Sequence, residues 1–370
     1  MDDAFRFADE LGPAKIIHVY EPSIGLKGVL VVDNVSAGPS IGGLRMAPDV
    51  STQECFRLAR AMTMKNAAAG LAHGGGKSVL FGDPYMPEEK KEQLIRSFAT
   101  ALKGECDYIF GPDMGTDEKC MAWVKDEIGR SVGLPPEVGG IPLDEIGATG
   151  FGISVVADVA LKYCDFDLKG ARIVVQGCGS VGKHAARFLT KNGAVLVGAA
   201  DSRGSIYNPD GLDVNKLIEM KKAGKSVAEY SDGKSADREA VIDMECDIWI
   251  PAARPDVIHE DNVHRLKTKL IISGANIPIT HHAEKILHDK GILSVPDFIA
   301  NAGGVICAAV EYHEGNETMA FQTIEEKIRE NTEQVLERMD KEKILPREAA
   351  VELATERVKN AMTYRRWSIF

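Results

Sequence analysis

The clearest chemical signal in the 370-residue chain is Gly177-Cys178-Gly179-Ser180-Val181-Gly182, a GxGxxG directly after an apolar, β-branched stretch and opening a helical one. The first glycine permits a tight turn, the second a close approach of a pyrophosphate to the backbone, and the third tight packing of helix on strand. Free N–H groups and the partial positive charge of a helix start complete an anion site. Asp201 follows at roughly the 20-residue spacing of a carboxylate that accepts from a ribose 2′-hydroxyl and repels a 2′-phosphate. This favours NAD. Arg203, two residues on, offers a partner for that phosphate, and NADP stays open.

Three further residues have chemistry to offer. Leu58, Ala61, Met62 and Lys65 share a helix face at i, i+3, i+4 and i+7, and an ammonium on an apolar stripe needs a partner. Lys77 ends Gly74-Gly75-Gly76-Lys77, where the missing side chains leave the backbone open to a ligand. Asp113 follows a strand end in Gly-Pro-Asp-Met-Gly-Thr. Singly, each has a plain reading: a snorkelling lysine or a turn aspartate.

The elements that must position these groups fall into two regions. In the first, Lys15 to Tyr20 and Lys27 to Asp33 read as strands, Ser51 to Ala69 as a helix opened by a Ser51/Glu54 capping box, Pro87 to Gly104 as a second helix, and Tyr108 to Phe110 as a short strand. Leu143 to Tyr163 reads as one long helix bridging the regions. From Lys169, strands at Arg172 to Gln176, Ala194 to Asp201, Asp247 to Pro251, Leu270 to Ser273 and Leu293 to Pro296 alternate with helices such as Val181 to Lys191 and His281 to Asp289. That alternation predicts a doubly wound, mostly parallel sheet. The charged stretch Glu325 to Arg366 reads as C-terminal helices.

The expected fold is α/β in two domains: an N-terminal α/β domain over 1–140, with helices from 340–370 packing back on it, and a Rossmann-type doubly wound dinucleotide-binding domain over 141–339. Net charge is −11, which disfavours nucleic acid and anionic lipid as partners. Seven scattered cysteines without a CxxC pair argue against a disulfide framework and a structural zinc site, no other metal ligand set is visible, and the cysteines fit a reducing cytoplasm. The acidic N-terminus does not read as a signal peptide, and no uncharged apolar run of membrane-spanning length is visible.

With these motifs in order along the chain, the sequence resembles the glutamate, leucine, phenylalanine and valine dehydrogenases. The resemblance is carried by Gly42-Gly43-Leu44-Arg45-Met46, MTMKNAAAG, GGGK, GPDMGT, Ala148-Thr149-Gly150, the GxGxxG, Ile250-Pro251-Ala252-Ala253, Gly274-Ala275-Asn276 and Asn301-Ala302-Gly303-Gly304-Val305. It implies reversible oxidative deamination of an L-amino acid to the 2-oxo acid and ammonium by a homo-oligomer whose domains close on the substrate, with 1–140 as the substrate and oligomerisation domain. Lys65 is then similar to the binder of the substrate α-carboxylate, and Lys77 to the catalytic lysine that polarises the carbonyl and activates water. Asp113 is similar to the acid/base at the amino nitrogen, and Gly43 lies in the substrate motif. Thr149, Ala252 and Asn276 join Gly177, Gly179, Ser180, Val181, Gly182 and Asp201 on the coenzyme side.

Glutamate-specific members place a lysine before the Gly-Gly of the first motif and a serine three residues after the NAGGV valine. Here these positions are Ile41 and, beyond Val305, Ala308. A buried carboxylate without a partner is disfavoured, so an apolar amino acid is expected. Against this, the Asp201 to Gly211 segment and GPDMGT look like the glutamate branch. Two other readings stand beside the main one. A 2-hydroxy-acid dehydrogenase would need a catalytic histidine, whereas His184, His259, His264, His281, His282 and His288 read as solvated. A non-catalytic nicotinamide-binding protein is hard to square with Lys65, Lys77 and Asp113 together.

Overall fold

The computed structural model describes residues 5–365. They form two compact units: the described parts of Met1–Pro142 with Val305–Ala320 and Val351–Phe370, and Leu143–Gly304 with Phe321–Ala350.

The first unit is built on a five-stranded sheet. Its elements are β1 (Lys15–Glu21), β2 (Leu26–Asn34), β3 (Ser40–Ala47), α1 (Thr52–Ala68), β4 (Gly74–Phe81), α2 (Glu88–Ala101), β5 (Tyr108–Pro112) and α3 (Glu118–Ile128). The strand order is β1-β2-β4-β3-β5. β1, β2 and β4 pair antiparallel, and β3 runs parallel to both β4 and β5. Both faces are covered, so β2 reads as a continuous apolar run rather than an alternation. Leu30, Val32, Leu44, Met46 and Leu80 pack with Leu94, Phe98, Met121 and Val124, from α2 and α3. On the opposite face Val29, Val31 and Val79 meet Cys55 and Ala59 of α1.

The docking of α1 corrects two expectations. Its buried face is Cys55, Ala59, Thr63 and Asn66, whereas Ala61 is exposed and Leu58, Met62 and Lys65 are only half-buried. The stripe through Lys65 is therefore the flank of the helix, and the small and polar residues make the contact. The glycines before Lys77 belong to strand β4, and their missing side chains are filled by protein. A Cβ on Gly75 would lie 2.0 Å from Thr63 N, and one on Gly74 1.8 Å from Asn34 O. Small residues on both partners let helix and strand approach at backbone distance. Ser51 caps α1 by accepting from Glu54 N at 3.1 Å, but the Glu54 carboxylate does not complete the expected box; it is used elsewhere, as shown below.

The second unit holds a seven-stranded sheet. In chain order it comprises α4 (Leu143–Ile146), α5 (Ala148–Ala160), β6 (Arg172–Gln176), α6 (Ser180–Lys191), β7 (Val195–Asp201), β8 (Gly204–Tyr207), α7 (Val214–Lys222), β9 (Lys234–Ala236), β10 (Ile248–Pro251), β11 (Leu270–Ile272), α8 (His281–Asp289), β12 (Leu293–Val295) and α9 (Asp297–Ala300). The order is β12-β11-β10-β6-β7-β8-β9. The first five are parallel, as expected, and β8 and β9 extend the sheet antiparallel. The stretch expected as one long helix is broken at Gly147, whose φ of 80° ends α4 and starts α5 in a new direction. α5 is core, burying Ile153, Val156 and Val159.

Three helices complete the chain: α10 (Gly303–Tyr312), α11 (Glu317–Glu342) and α12 (Pro346–Tyr364). Within the first unit, Arg357 of α12 donates to Ala67 O at 3.2 Å and Ala68 O at 2.8 Å, closing the carbonyl end of α1. Glu311 of α10 accepts from Leu134 N at 3.1 Å and Ile141 N at 2.8 Å.

If α1 docks through missing side chains, Gly75→Ala forces backbone apart. We expect a loss of about 1–3 kcal/mol or more, read as a lower midpoint of thermal unfolding. An unchanged midpoint would show that the approach is not constrained.

Candidate active site

Lys77 lies on β4 and is 5% exposed, and Asp113 is the first residue beyond β5. Between those strands runs β3. Lys77 Nζ nonetheless reaches Asp113 Oδ2 at 2.9 Å. Gly43 makes this possible: a Cβ there would sit 2.8 Å from Asp113 Cβ and 3.0 Å from Lys77 Nζ. The close approach that the triple glycine seemed to offer a ligand thus occurs here, one strand over, and admits a salt bridge.

Arg45, two residues beyond Gly43 and so on the same face of β3, donates from Nε to the same Asp113 oxygen at 2.8 Å and from Nη1 to Glu54 at 2.6 Å. Nothing in the spacing singled Arg45 out; the only sequence clue was its place in the Gly-Gly-Leu-Arg-Met motif. The Asp113 loop is fixed by Thr116, whose Oγ accepts from Asp113 N at 3.0 Å and donates to Leu44 O at 2.7 Å. Lys77, Asp113, Arg45 and Glu54 alternate in sign, so the cluster is neutral overall. Burial pushes the Asp113 carboxyl up, but Lys77 and then Arg45 outweigh it and hold it below the usual carboxylate range.

Of the other predicted substrate residues, Lys65 stands in the last turn of α1, half-buried. Ile41 is buried (4% exposed) and shares a strand face with Gly43 and Arg45 by alternation. Val305 and Ala308 lie three residues apart, on one side of α10, Val305 half-buried and Ala308 buried.

In the second unit a cavity of about 500 Å³ opens beyond the carboxyl ends of β6 and β10, lined by Gly177, Gly179, Asp201, Lys221, Arg238 and Ala252, among others. It lies at the point where strand order reverses, the usual nucleotide position in such sheets. Gly177 (φ 97°) has no room for a side chain: a Cβ would lie 2.8 Å from Ala252 and Ala253. At Gly179 a Cβ would meet nothing within 4 Å, which leaves an open approach, and no side chain caps the start of α6. Gly182 packs against Gly177 O. Gly177 N and Cys178 N both donate to Ala200 O at 2.9 Å, bracing the loop. These features fit a bound pyrophosphate. Ser180 Oγ is spent on Asp144 O at 3.0 Å. Val181 and Ala252 converge on Gly274, and Thr149 Oγ lies against Gly304. Asn276 is exposed, and its Oδ1 accepts from Asn301 at 2.9 Å.

Two expectations change here. The Asp201 carboxylate is occupied. Oδ1 accepts from Arg203 N at 2.9 Å and Ser226 Oγ at 2.8 Å, and Oδ2 accepts from Lys221 Nζ at 2.7 Å and Val227 N at 3.0 Å. Its side chain is 7% exposed. Arg203 turns its guanidinium to Gly224 O at 2.7 Å. Secondly, His184 is not solvated. It is buried on α6 beside Gly147 and Gly150, with neither ring nitrogen hydrogen-bonded to a side chain or backbone group within range.

The comparisons with known proteins follow this division. Residues 13–130 match a family described as Glu/Leu/Phe/Val dehydrogenase, dimerisation domain, and residues 139–366 match Glutamate/Leucine/Phenylalanine/Valine dehydrogenase. A glutamate dehydrogenase of Aeropyrum pernix is 37% identical over 357 residues, 90% of this chain and 85% of the relative. An NADP(+)-dependent glutamate dehydrogenase of Pyrobaculum calidifontis is 37% identical over 366 residues, 92% of this chain and 87% of the relative. Among solved structures, a hetero-hexameric glutamate dehydrogenase from Thermus thermophilus in a Leu-bound form is similar with a TM-score of 0.83 at 28% identity, covering 95% of this chain and 90% of that one.

Burial holds the His184 imidazole down from its ordinary 6.5 to about 4. The unfolded chain therefore takes up a proton that the folded chain refuses, and stability present above pH 6.5 is lost as pH falls toward 4. His184→Gln should flatten that part of the stability–pH curve, measured by urea unfolding at a series of pH values. A slope identical to wild type would show that His184 does not carry it.

Proposed function

The chain belongs to the Glu/Leu/Phe/Val dehydrogenase family, and we propose that it oxidatively deaminates an apolar L-amino acid to its 2-oxo acid and ammonium. The observation that carries the apolar choice is the position of Ile41. It is buried on the strand face that holds Gly43 and Arg45, where glutamate-specific members have a lysine. A substrate γ-carboxylate brought against it would lose its water and gain no cation. Ala308, buried on α10, removes the second polar anchor. The glutamate reading is favoured by a different observation, that the relatives above are glutamate dehydrogenases, and it is the direct competitor.

In this proposal Lys65 fixes the α-carboxylate, a point charge for a point charge. Asp113 is the proton carrier at the amino nitrogen. Its depressed pKa keeps it ionised and ready to accept when the ammonium must lose a proton. Lys77, held against Asp113, orients water for attack at the carbon that becomes the carbonyl and stabilises negative charge developing on oxygen. The nicotinamide coenzyme, when bound, supplies the hydride acceptor. Arg45 positions Asp113 without reaching for substrate, because its second arm is tied to Glu54. The support for NAD(P) is the loop of Gly177 to Gly182, open at Gly179 and uncapped at α6. The match of residues 13–130 to a dimerisation domain supports an oligomer.

A panel of leucine, valine, phenylalanine, tryptophan and glutamate, followed by reduced-coenzyme formation at alkaline pH, tests the substrate. At least one apolar member should exceed glutamate about tenfold or more in kcat/KM; a preference for glutamate would overturn the choice. Asp113→Asn should lower kcat about a hundredfold or more while coenzyme affinity holds. Near-native turnover would remove Asp113 from the acid/base role.

A further inference from the structure

We propose that the coenzyme cavity accepts a 2′-phosphate, so that the protein binds NADP(H) at least as tightly as NAD(H), with Lys221 and Arg238 as the specificity-determining residues. The inference deepens the coenzyme reading above and rests on it.

A carboxylate at the end of the second Rossmann strand selects against a 2′-phosphate in two ways. It offers an acceptor to the ribose hydroxyls, and it presents uncompensated negative charge. Asp201 does neither. A carboxylate has about four lone-pair sites, and four donors occupy them: two backbone N–H groups, the Ser226 hydroxyl and the Lys221 ammonium. Nothing remains for a ribose hydroxyl without breaking one of these bonds. The charge is also answered, since Lys221 lies 2.7 Å away. The four bonds instead tie the turn after β7 to α7 and to the Ser226 segment, so Asp201 is a brace of the cavity wall.

The same wall is basic. Lys221 lines the cavity with its side chain 24% exposed. An ammonium has three donors, and Asp201 uses one. Arg238 and Arg254 also line it, against Glu239 and the compensated Asp201, leaving one net positive charge around the opening. Arg238 is exposed at the cavity edge with its guanidinium free to take a planar oxyanion in a bidentate grip. Arg203, the residue expected to take that part from sequence, is directed away to Gly224. Ser202 completes this end of the cavity with a hydroxyl.

The test is nucleotide binding, independent of any amino-acid substrate. NADH, NADPH and the fragments ADP and 2′,5′-ADP are titrated into the full-length protein by calorimetry. The expected result is that 2′,5′-ADP binds at least as tightly as ADP and NADPH at least as tightly as NADH. Arg238→Ala and Lys221→Met should each weaken the 2′-phosphorylated ligands about tenfold and leave ADP within about twofold. Arg238→Ala removes only an exposed side chain, so it reports on binding even if Lys221→Met loosens the fold. Binding of NADH and ADP with rejection of both 2′-phosphorylated ligands would overturn the inference while leaving the dehydrogenase reading intact. Binding of none of the four would overturn both.

Discussion

A salt bridge that has to pass over a strand fixes the design of the first unit. Lys77 and Asp113 sit on opposite sides of β3, and they meet only because residue 43 has no side chain. An ammonium 5% exposed is costly unless it is paired and its partner is well placed. The surroundings are arranged to meet that cost. Arg45 holds Asp113 from the same strand, Thr116 holds its backbone, and Glu54 compensates Arg45 from the first turn of α1. That last contact reaches back to the helix packing. Glu54 is in range of Arg45 because α1 lies at backbone distance on β4, which in turn requires glycine at 75. The geometry of four charges thus depends on two absent side chains, at 43 and 75.

The second unit uses glycine for a different purpose. At 177 and 182 the missing Cβ atoms are filled by neighbouring backbone, as in the first unit, but at 179 the space is left open. One loop therefore combines two uses of the same residue: packing at its ends and access at its centre. The electrostatics differ too. In the first unit an acid is held between two cations and kept at the surface of a cluster, 24% exposed, whereas Asp201 is enclosed by its donors. Asp113 keeps one oxygen clear of Lys77 and Arg45, which both address Oδ2. That free oxygen is what a proton carrier needs and what Asp201 lacks.

Much of this was legible in the order of residue types. The alternation from Arg172 onward, the GxGxxG between β6 and α6, and the Ser51 cap all emerged where hydrophobic period and turn chemistry placed them. What was not legible depends on which neighbour fills a space. The run Gly74 to Gly76 looked like a ligand loop because sequence cannot show that Thr63 and Asn34 occupy the gaps. The stripe through Lys65 looked like the buried face because it is apolar, yet α1 buries alanine, threonine and asparagine, where closeness outranks side-chain area. β3 is masked in the sequence by its glycines, and β8 and β9 by their shortness. Spacing alone placed Asp201 at the ribose; only the three-dimensional set of donors reveals that its oxygens are taken. A lone helical histidine such as His184 is usually solvated, and the glycines at 147 and 150 that let α5 close over it lie more than 30 residues away in sequence.

The closing of α1 by Arg357 bears on how the protein is made. The unit that begins the chain is finished by residues beyond 350, and a segment at 305–320 joins it in between. During synthesis, domains tend to fold as they emerge, the N-terminal one first. Here the leading five-stranded sheet leaves the ribosome with the carbonyl end of its central helix unsatisfied, and must wait until residue 357 has emerged. The nucleotide-binding unit is likewise interrupted, since it recruits residues 321–350. Neither half can be excised at a single peptide bond, and neither fold is whole until the segments beyond residue 320 have joined it.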